Sequence, residues 1–360
     1  MTAAAASGLG RRRVVLRLGR DDGRWRASLR LDVRTVVVVA VAMLGIATAA
    51  VVALLLGEFP ISAAEVAATL VGQGSSRHEF VVFTLRMPRI LAALLVGAAF
   101  AMAGAILQSL ARNPLVAPDV IGINSGAALL AVGVIVLGMP GALVAPAAFT
   151  GAVGASALLY VLAHRGGLSP YRLVLMGIAL NAGLAAGISY LLTYGRIEEV
   201  HRATVWLLGS VYGAGWDEVR LLAVALLVLG PAAVALGWRL EALQLGDDLA
   251  RAVGAPVERS RALLVLVAIT LAALAVAVAG PVAFVAFIAP HIARHLVGRG
   301  GTGALVAAAP VGALLVLVSD MVAQRAFAPS ALPVGIVTAI LGAPYFLYLL
   351  RRAGRPASAA

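Results

Sequence analysis

Long apolar runs separated by short polar breaks dominate the pattern of this chain. A helix of about 20 apolar residues crosses the hydrocarbon core of a bilayer, so each long run predicts one membrane span. The predicted spans cover about 35–56, 86–110, 122–137, 141–162, 171–194, 219–238, 262–278, 284–296, 303–324 and 334–350. The expected fold is therefore all-α, a polytopic membrane protein with ten transmembrane helices and both termini on the same side. A capping-box pattern, Ser62-x-x-Glu65, adds a short interfacial helix over 61–70.

Charged residues concentrate first in an N-terminal tail. Residues 1–34 hold nine arginines, which predicts a retained cytoplasmic tail before a membrane domain over 35–352 and a second tail over 353–360. A cleaved export signal is the alternative, because Arg12 and Arg13 faintly resemble a twin-arginine motif. A polar stretch separates that motif from the first apolar run, which favours the retained tail.

The segment 239–261 is the longest charged stretch after the tail. It contains two short helical patterns separated by a Gly-Ala-Pro break at 254–256, and Asp247 and Asp248 are placed to cap the first. Connections between bundled helices usually take about two to eight residues, so this segment is longer than a simple link requires. We expect it to dock on a cytosolic partner.

The distribution of arginine predicts the orientation. All 28 basic residues are arginine, and 21 of them lie on the inner side if the N-terminus is cytoplasmic. This asymmetry fits the positive-inside rule. The chain is then a multi-pass protein of the cytoplasmic membrane with both termini in the cytoplasm, and its net charge of +12 requires no nucleic-acid partner. The arginines left on the outer side are Arg77, Arg86, Arg89, Arg196, Arg202, Arg220 and Arg325.

Composition excludes several classes of function. Charged residues make up 12% of the chain, against about 25% in soluble domains. The sequence has no cysteine for a disulfide or a thiolate site and no lysine for a P-loop. His291 and His295 share a helix face, but a helix end near the inner surface explains them better than a metal site. We therefore expect a non-catalytic subunit without cofactor or metal, with ATP bound by a partner subunit.

One run, 86–126, contains most of the candidate chemistry. An arginine pair, Arg86 and Arg89, precedes a long uncharged stretch, and a polar turn follows it. The uncharged stretch is rich in alanine and glycine, which indicates close helix packing or the wall of a transport path. The candidate pathway and inner-turn residues are Gly97, Gly104, Gln108, Arg112, Asn113 and Pro114.

Two further patterns bear on transport. An Ala-Gly pair precedes a proline by ten residues at 103–114 and again at 279–290, which suggests two related halves. Asp320 is the one acidic residue inside a predicted span. An ion-coupled secondary transporter or channel, which needs ionisable groups in the membrane, therefore remains only an alternative. A membrane-anchored receptor is a second alternative, although the outer loops are short for a large ligand.

Six blocks of the sequence resemble the permease subunits of ATP-binding-cassette (ABC) importers for iron–siderophore complexes, haem and vitamin B12. They occur in the order typical of that family, and the resemblance covers roughly 35–352. Their GDD, APDVIG and SDMVAQ elements are most similar to the second permease subunit of ferric enterobactin-type systems. The blocks are LRMPR at 85–89, QSLARNPLVAPDVIGINSGA at 108–127, WLLGS at 206–210, LGDDLARAVG at 245–254, AGPVAFVAFIAPHIARHLVG at 279–298, and SDMVAQ with LPVGIVTAILGAPYFLYLL at 319–350.

The resemblance implies a type II ABC importer permease fold, in which two permease subunits surround a central path. It implies that Arg86 and Arg89 receive acidic residues of an extracytoplasmic substrate-binding protein. Arg325 is a candidate third docking charge, because Gln324 stands where some family members have a basic residue. The residues that match the ATPase-coupling helices are Gly246, Asp247, Asp248, Ala250, Gly254 and Arg259.

The implied function is translocation of a ferric siderophore across the cytoplasmic membrane, with vitamin B12 or haem as the alternative cargo. The implied partners are cytosolic ABC ATPase subunits, a second permease subunit that is identical or different, the binding protein and the lipid bilayer. The tail 1–34 lies outside the family core. We expect it to enforce orientation, with binding to anionic lipid as the alternative.

Overall fold

The computed structural model describes residues 13–18, 27–57, 59–119, 122–163, 170–298, 300–326 and 332–353. A π-helical segment, Phe80–Arg86, joins two of its helices without a break, and a 3-10 turn, Gly141–Leu143, precedes another. The α-helices are α1 Val33–Leu55, α2 Ala63–Leu70, α3 Ser76–Glu79, α4 Met87–Leu110, α5 Ile123–Val136, α6 Val144–Ala163, α7 Pro170–Tyr194, α8 Ile197–Leu207, α9 Trp216–Ala235, α10 Gly237–Gln244, α11 Asp247–Ala252, α12 Val257–Ala279, α13 Val285–Val297, α14 Thr302–Arg325 and α15 Val334–Ala353.

The ten segments predicted from the apolar pattern are present among the described residues. Eight helical stretches are long and apolar enough to cross a bilayer, and α5 and α13 are shorter apolar helices. The second span begins earlier than predicted, because the π-helical segment makes the chain helical from Ser76 to Leu110. The predicted break after α12 is confirmed at Gly280, which has a φ of +69°.

Helix α4 lies at the centre of the bundle. Of its most apolar window, 78% is buried inside the protein, against 17% for α1 and 6% for Leu175–Tyr194 of α7. It packs against α14 most extensively and also against α9, α12 and α13. Its alanines and glycines let these neighbours approach from several sides. The bundle is therefore built around the helix that carries the candidates Arg89, Gly97, Gly104 and Gln108.

The capping box predicted before the short outer helix is confirmed. The Ser62 hydroxyl accepts from the backbone N–H of Glu65 over 3.3 Å, and the Ser62 N–H donates to the Glu65 carboxylate over 2.8 Å. The Ser62 hydrogen bonds lower the pKa of the Glu65 carboxyl. Ile61, Val66 and Val82 form a small separate core that packs α2 against the π-helical segment.

An antiparallel β-hairpin precedes α1. Strand β1, Arg13–Leu18, pairs with strand β2, Ala27–Asp32, and the register runs from Arg13 opposite Asp32 to Leu18 opposite Ala27. Strand β2 continues directly into α1, which has Asp32 as its N-cap. The charge of this region predicts only a tail, although the apolar and polar residues of both strands alternate in part, as is typical of strands. The remaining residues before Asp32 lie outside the described part of the chain.

The ten-residue spacing that suggested a duplication marks different local structures in the two places. Gly104 lies inside α4, whereas Gly280 follows the end of α12. Pro114 lies in the loop after α4, whereas Pro290 lies inside α13. The equal spacing therefore does not mark equivalent local structures, and the relation between two halves stays a prediction.

Candidate docking and coupling site

The end of the bundle that carries Arg86 and Arg89 is called here the outer end, and the end that carries α11 is called the inner end. At the outer end, Arg89 Nε and Nη2 donate to the two carboxylate oxygens of Asp320 over 2.9 and 2.8 Å. Gln324 also donates to Asp320, over 2.8 Å, and the Tyr212 ring centroid lies 5.2 Å from the Arg89 guanidinium. The Asp320 side chain is 3% exposed. Removal of one partner would therefore leave a desolvated charge.

The other two predicted docking arginines bind backbone carbonyls. Arg86 donates to the carbonyls of Leu54 and Phe59, so it caps the C-terminus of α1, where the last carbonyls lack helical donors. Arg325 is exposed and donates to the carbonyl of Gly57 over 3.3 Å. Neither Arg86 nor Arg325 has a carboxylate within ion-pair distance among the described residues. The fold thus brings all three arginines to the outer end, but in three different environments.

Gly97 and Gly104 lie at contacts between helices. A Cβ atom on Gly97 would meet the carbonyl of Gly312 in α14, and a Cβ atom on Gly104 would meet the carbonyl of Ala286 in α13. The lack of a side chain is what allows these backbones to approach. Close packing therefore explains both glycines, and their part in a transport path stays a prediction.

Gln108 supplies a hydrogen bond that helix α13 lacks. Pro290 has no N–H, so the carbonyl of Ala286, four residues earlier in α13, has no helical donor. The side-chain amide of Gln108 donates to this carbonyl over 3.3 Å and to that of Phe287 over 3.2 Å. Arg294 donates to the amide oxygen of Gln108, and Gln108 is buried. Gln108 of α4 therefore supplies the donor that Pro290 removes from α13.

The inner turn after α4 contains an unusual backbone conformation. Arg112 has a φ of +50°, and its N–H donates to the Ser109 carbonyl over 3.3 Å, while the Asn113 N–H donates to the Gln108 carbonyl over 3.2 Å. This is the Schellman pattern, in which glycine is the usual left-handed residue. A side chain there costs about 1–2 kcal/mol. Arginine at this position therefore carries a backbone cost that glycine would avoid; Pro114 follows it in the turn.

Asp247 connects that inner turn to the segment after α10. It is the first residue of α11, and Gly246 before it has a φ of +107°. Asp247 accepts from Arg261 of α12 over 2.8 and 3.0 Å and lies 3.4 Å from Arg112. The two arginines hold the start of α11 against the ends of α4 and α12. Because the Asp247 side chain is 34% exposed, water weakens these ion pairs relative to a buried pair.

Helix α11 also ends in a Schellman pattern. Gly254 has a φ of +81°, its N–H donates to the Arg251 carbonyl over 2.9 Å, and the Ala255 N–H donates to the Ala250 carbonyl over 2.9 Å. Ala250 is buried, so it packs the helix onto the protein. The conformation explains why the glycine predicted to be important for coupling occupies this position.

The outward side of this segment has an apolar stripe, Leu245, Leu249 and Val253, that the sequence analysis missed. All three are more than half exposed; Leu249 lies in α11, Leu245 precedes the turn at Gly246, and Val253 is the C-cap residue of α11. Asp248 and Arg259, both predicted coupling residues, are exposed as well. Exposed large apolar groups in a row indicate a contact surface. The sequence contains these apolar residues inside a charged segment, but only the structure shows that they are exposed.

The remaining candidates concern metals and ion coupling. The rings of His291 and His295 lie 4.7 Å apart in an edge-to-face arrangement, and His291 also lies 5.6 Å from the ring of Tyr345. The described residues contain no group of three or more histidine, aspartate or glutamate side chains that could hold a metal ion. Asp320, the acid predicted inside a span, is bound on both oxygens by Arg89.

Apolar helices packed around a buried central helix define a multi-pass membrane transport protein. More specifically, the chain belongs to the FecCD transport family, whose model matches residues 25–352. The match confirms the resemblance seen in the sequence and begins earlier than the 35–352 range of the motifs.

Known proteins are similar to this chain over most of their length. The iron(3+)-hydroxamate import system permease protein FhuG of Bacillus subtilis (strain 168) is 39% identical over 89% of this chain and 98% of its own. The ferric enterobactin transport system permease protein FepG of Escherichia coli (strain K12) is 41% identical over 83% and 91%. A solved inward-facing metal-chelate type ABC transporter superposes with a TM-score of 0.79 at 30% identity, covering 88% of this chain and 99% of that one.

Proposed function

We propose that this chain is the non-catalytic permease subunit of an ABC importer for a ferric siderophore. Its relatives named above, permease proteins of iron(3+)-hydroxamate and ferric enterobactin import systems, support this cargo. The observation in this chain that carries the proposal is the inner end, where Arg112 and Arg261 hold α11 and the apolar stripe remains exposed. That surface fits a cytosolic ATPase subunit, which supplies ATP hydrolysis. A second permease subunit and an extracytoplasmic binding protein complete the importer.

The proposed mechanism connects the two ends of the bundle through α4. A movement of the ATPase displaces α11, and Asp247 transmits it to the ends of both α4 and α12. Because α4 packs closely against α13 and α14 at Gly104 and Gly97, it moves as part of a rigid body. Both termini of the chain lie in the cytoplasm in this arrangement, in agreement with the arginine distribution.

At the outer end, Arg86 and Arg89 are the proposed docking charges for acidic residues of the binding protein. An incoming carboxylate must share Arg89 with Asp320, whereas it meets no competing carboxylate at Arg86 among the described residues. Charge reversal of Arg89 would also place two carboxylates together and disturb the fold. Arg86→Gln removes the charge but keeps an amide donor for the Leu54 and Phe59 carbonyls, so it is the cleaner test, and we expect it to weaken binding-protein affinity while ATPase assembly is retained.

The function is tested with the assembled importer and the variant Leu249→Glu. A charge in the apolar stripe should abolish co-purification of the ATPase and uptake of labelled ferric siderophore, because the contact would bury an unpaired carboxylate. Arg251→Gln is the matched control in the same helix, since that side chain is exposed and is not one of the predicted coupling residues. Normal ATPase binding by Leu249→Glu would contradict the proposal.

Two further results would redirect the proposal. Uptake by the purified chain in liposomes without any ATPase would favour a secondary transporter. If deletion of the protein abolishes growth on haem or vitamin B12 but leaves growth on ferric siderophores intact, the alternative cargo is favoured.

A further inference from the structure

An apolar groove runs between α1 and α14 on the membrane-facing side of the bundle. Its volume is about 640 Å³, within the range of about 300–1,000 Å³ that is usual for ligand sites. The Thr48 hydroxyl in it donates to the Leu44 carbonyl over 3.0 Å, so its proton is already used. The main lining residues are Leu44, Thr48, Val52, Leu314, Val318 and Met321.

The groove has the depth of one bilayer leaflet. Its lining on α14 runs from Leu314 to Arg325, which at about 1.5 Å per residue corresponds to about 16 Å. Its lining on α1 runs from Val41 to Val52 and has the same length. A bilayer core of about 30 Å gives about 15 Å per leaflet. The groove therefore matches one acyl chain that extends from the membrane surface to the midplane.

A positive charge lies at the outer end of this groove. Arg325, the last residue of α14, is part of the lining and is exposed. Arg86 donates to the carbonyls of Leu54 and Phe59 and Arg325 donates to that of Gly57 between them, so both arginines lie at the same turn, and no described carboxylate is within ion-pair distance of either. Two such cations at the membrane surface favour an anionic ligand, and a guanidinium binds phosphate with charge-assisted hydrogen bonds.

Helix geometry separates Arg325 from the ion pair of Arg89 with Asp320. Successive residues of an α-helix differ by about 100° around its axis. Gln324 faces the bundle and donates to Asp320, the partner of Arg89, whereas Arg325 faces the groove. A basic residue at position 324 would join the outer arginine pair, but the charge at 325 faces the membrane instead.

We propose that this groove holds one acyl chain of an anionic phospholipid of the outer leaflet, and that Arg325 binds its phosphate. The assignment to the outer leaflet rests on the orientation in the proposed function. The bound lipid fills the groove between α1 and α14. The two helices are in contact at its wall, where a Cβ atom on Gly45 would lie 3.0 Å from Leu314. Arg325 is then a lipid ligand and not a third docking charge.

Native mass spectrometry of the full-length permease tests this with added phosphatidylglycerol and phosphatidylcholine. Arg325→Gln should lower retention of phosphatidylglycerol about fivefold, the effect expected of one basic residue at an anionic surface, and abolish the preference over phosphatidylcholine. Val318→Trp fills the exposed groove and should lower retention of both lipids. Arg196→Gln, at an exposed arginine before α8, should change neither.

Unchanged phosphatidylglycerol retention in Arg325→Gln would overturn the proposal. So would a loss of binding-protein affinity in that variant with lipid retention intact, because Arg325 would then be a docking charge. Loss of a co-purifying membrane protein from Val318→Trp, without loss of lipid, would show that a partner helix occupies the groove. These measurements need neither ATPase nor cargo, so they remain decisive even if the proposed transport function fails.

Discussion

The two ends of α4 bind their charged partners in opposite ways. At the outer end, Arg89 forms two hydrogen bonds to an Asp320 that is almost completely buried. At the inner end, Arg112 lies 3.4 Å from an Asp247 that is one-third exposed and shared with Arg261. The outer pair is desolvated and geometrically demanding, whereas the inner cluster is hydrated and can exchange partners.

This difference indicates which end is fixed and which end moves. A buried pair that loses its partner leaves a costly charge, so we expect the outer contact between α4 and α14 to remain when the inner end moves. A hydrated cluster loses little when an ion pair opens, and the strained backbone at Arg112 further lowers the cost of rearrangement.

The largest effect is expected from Asp320→Ala, which leaves Arg89 buried without its partner. The free energy of unfolding should fall by about 3–5 kcal/mol, measured by denaturation of the purified permease in one detergent. The double variant Arg89→Met/Asp320→Leu should recover most of this loss, because no buried charge remains. Asp217→Ala is the control, since this carboxylate is exposed in its pair with Arg220. A small effect of Asp320→Ala would remove the contrast between the two ends.

A smaller loss is expected from Gln108→Leu, which leaves the carbonyl of Ala286 without a donor. An unsatisfied buried group costs about 1–3 kcal/mol, measured in the same unfolding experiment. In a Pro290→Ala background the helix can supply its own N–H to that carbonyl, so the same substitution should cost less. Equal costs in both backgrounds would contradict the link between glutamine and proline.

Gly104→Ala tests the rigid contact in the middle of α4. The new methyl group would overlap the Ala286 carbonyl, and overpacking of this kind costs about 1–3 kcal/mol. Gly154→Ala, in α6, is a matched control because no atom lies within 4 Å of the added Cβ. The unfolding midpoint of Gly104→Ala should therefore fall, whereas the midpoint of Gly154→Ala should stay unchanged or rise. Equal midpoints would show that α4 is loosely packed.

The smallest effect, with the opposite sign, is expected from Arg112→Gly. Glycine relieves the left-handed backbone by about 1 kcal/mol and loses only an exposed ion pair, so stability should be unchanged or slightly higher. Uptake per ATP hydrolysed should nevertheless fall, because α4 loses its contact with α11. Arg251→Gly serves as a control for the loss of an exposed arginine on α11. If uptake per ATP hydrolysed is unchanged in Arg112→Gly, the strained backbone at this position has no role in coupling.

Local sequence features predicted most of the fold. The length of each apolar run determines whether a helix can cross the membrane, so the ten segments could be found without a structure. The Ser62 capping box and the break at Gly280 depend on neighbouring residues only, and both are confirmed. The hairpin was missed because arginines interrupt its short alternating pattern, which then resembles a charged tail.

The candidate site was predictable as a set of positions, but its contacts were not. The sequence alone identified the arginine pair, the inner turn and the glycines around α11, since turns and charges have local signatures. It could not show that Arg89 binds Asp320, which is 231 residues away, or that Gln108 serves the carbonyl exposed by Pro290. It also could not show that Arg325 faces a groove between α1 and α14. Only packing decides such partners, because they depend on which helix faces meet in space and not on spacing along the chain.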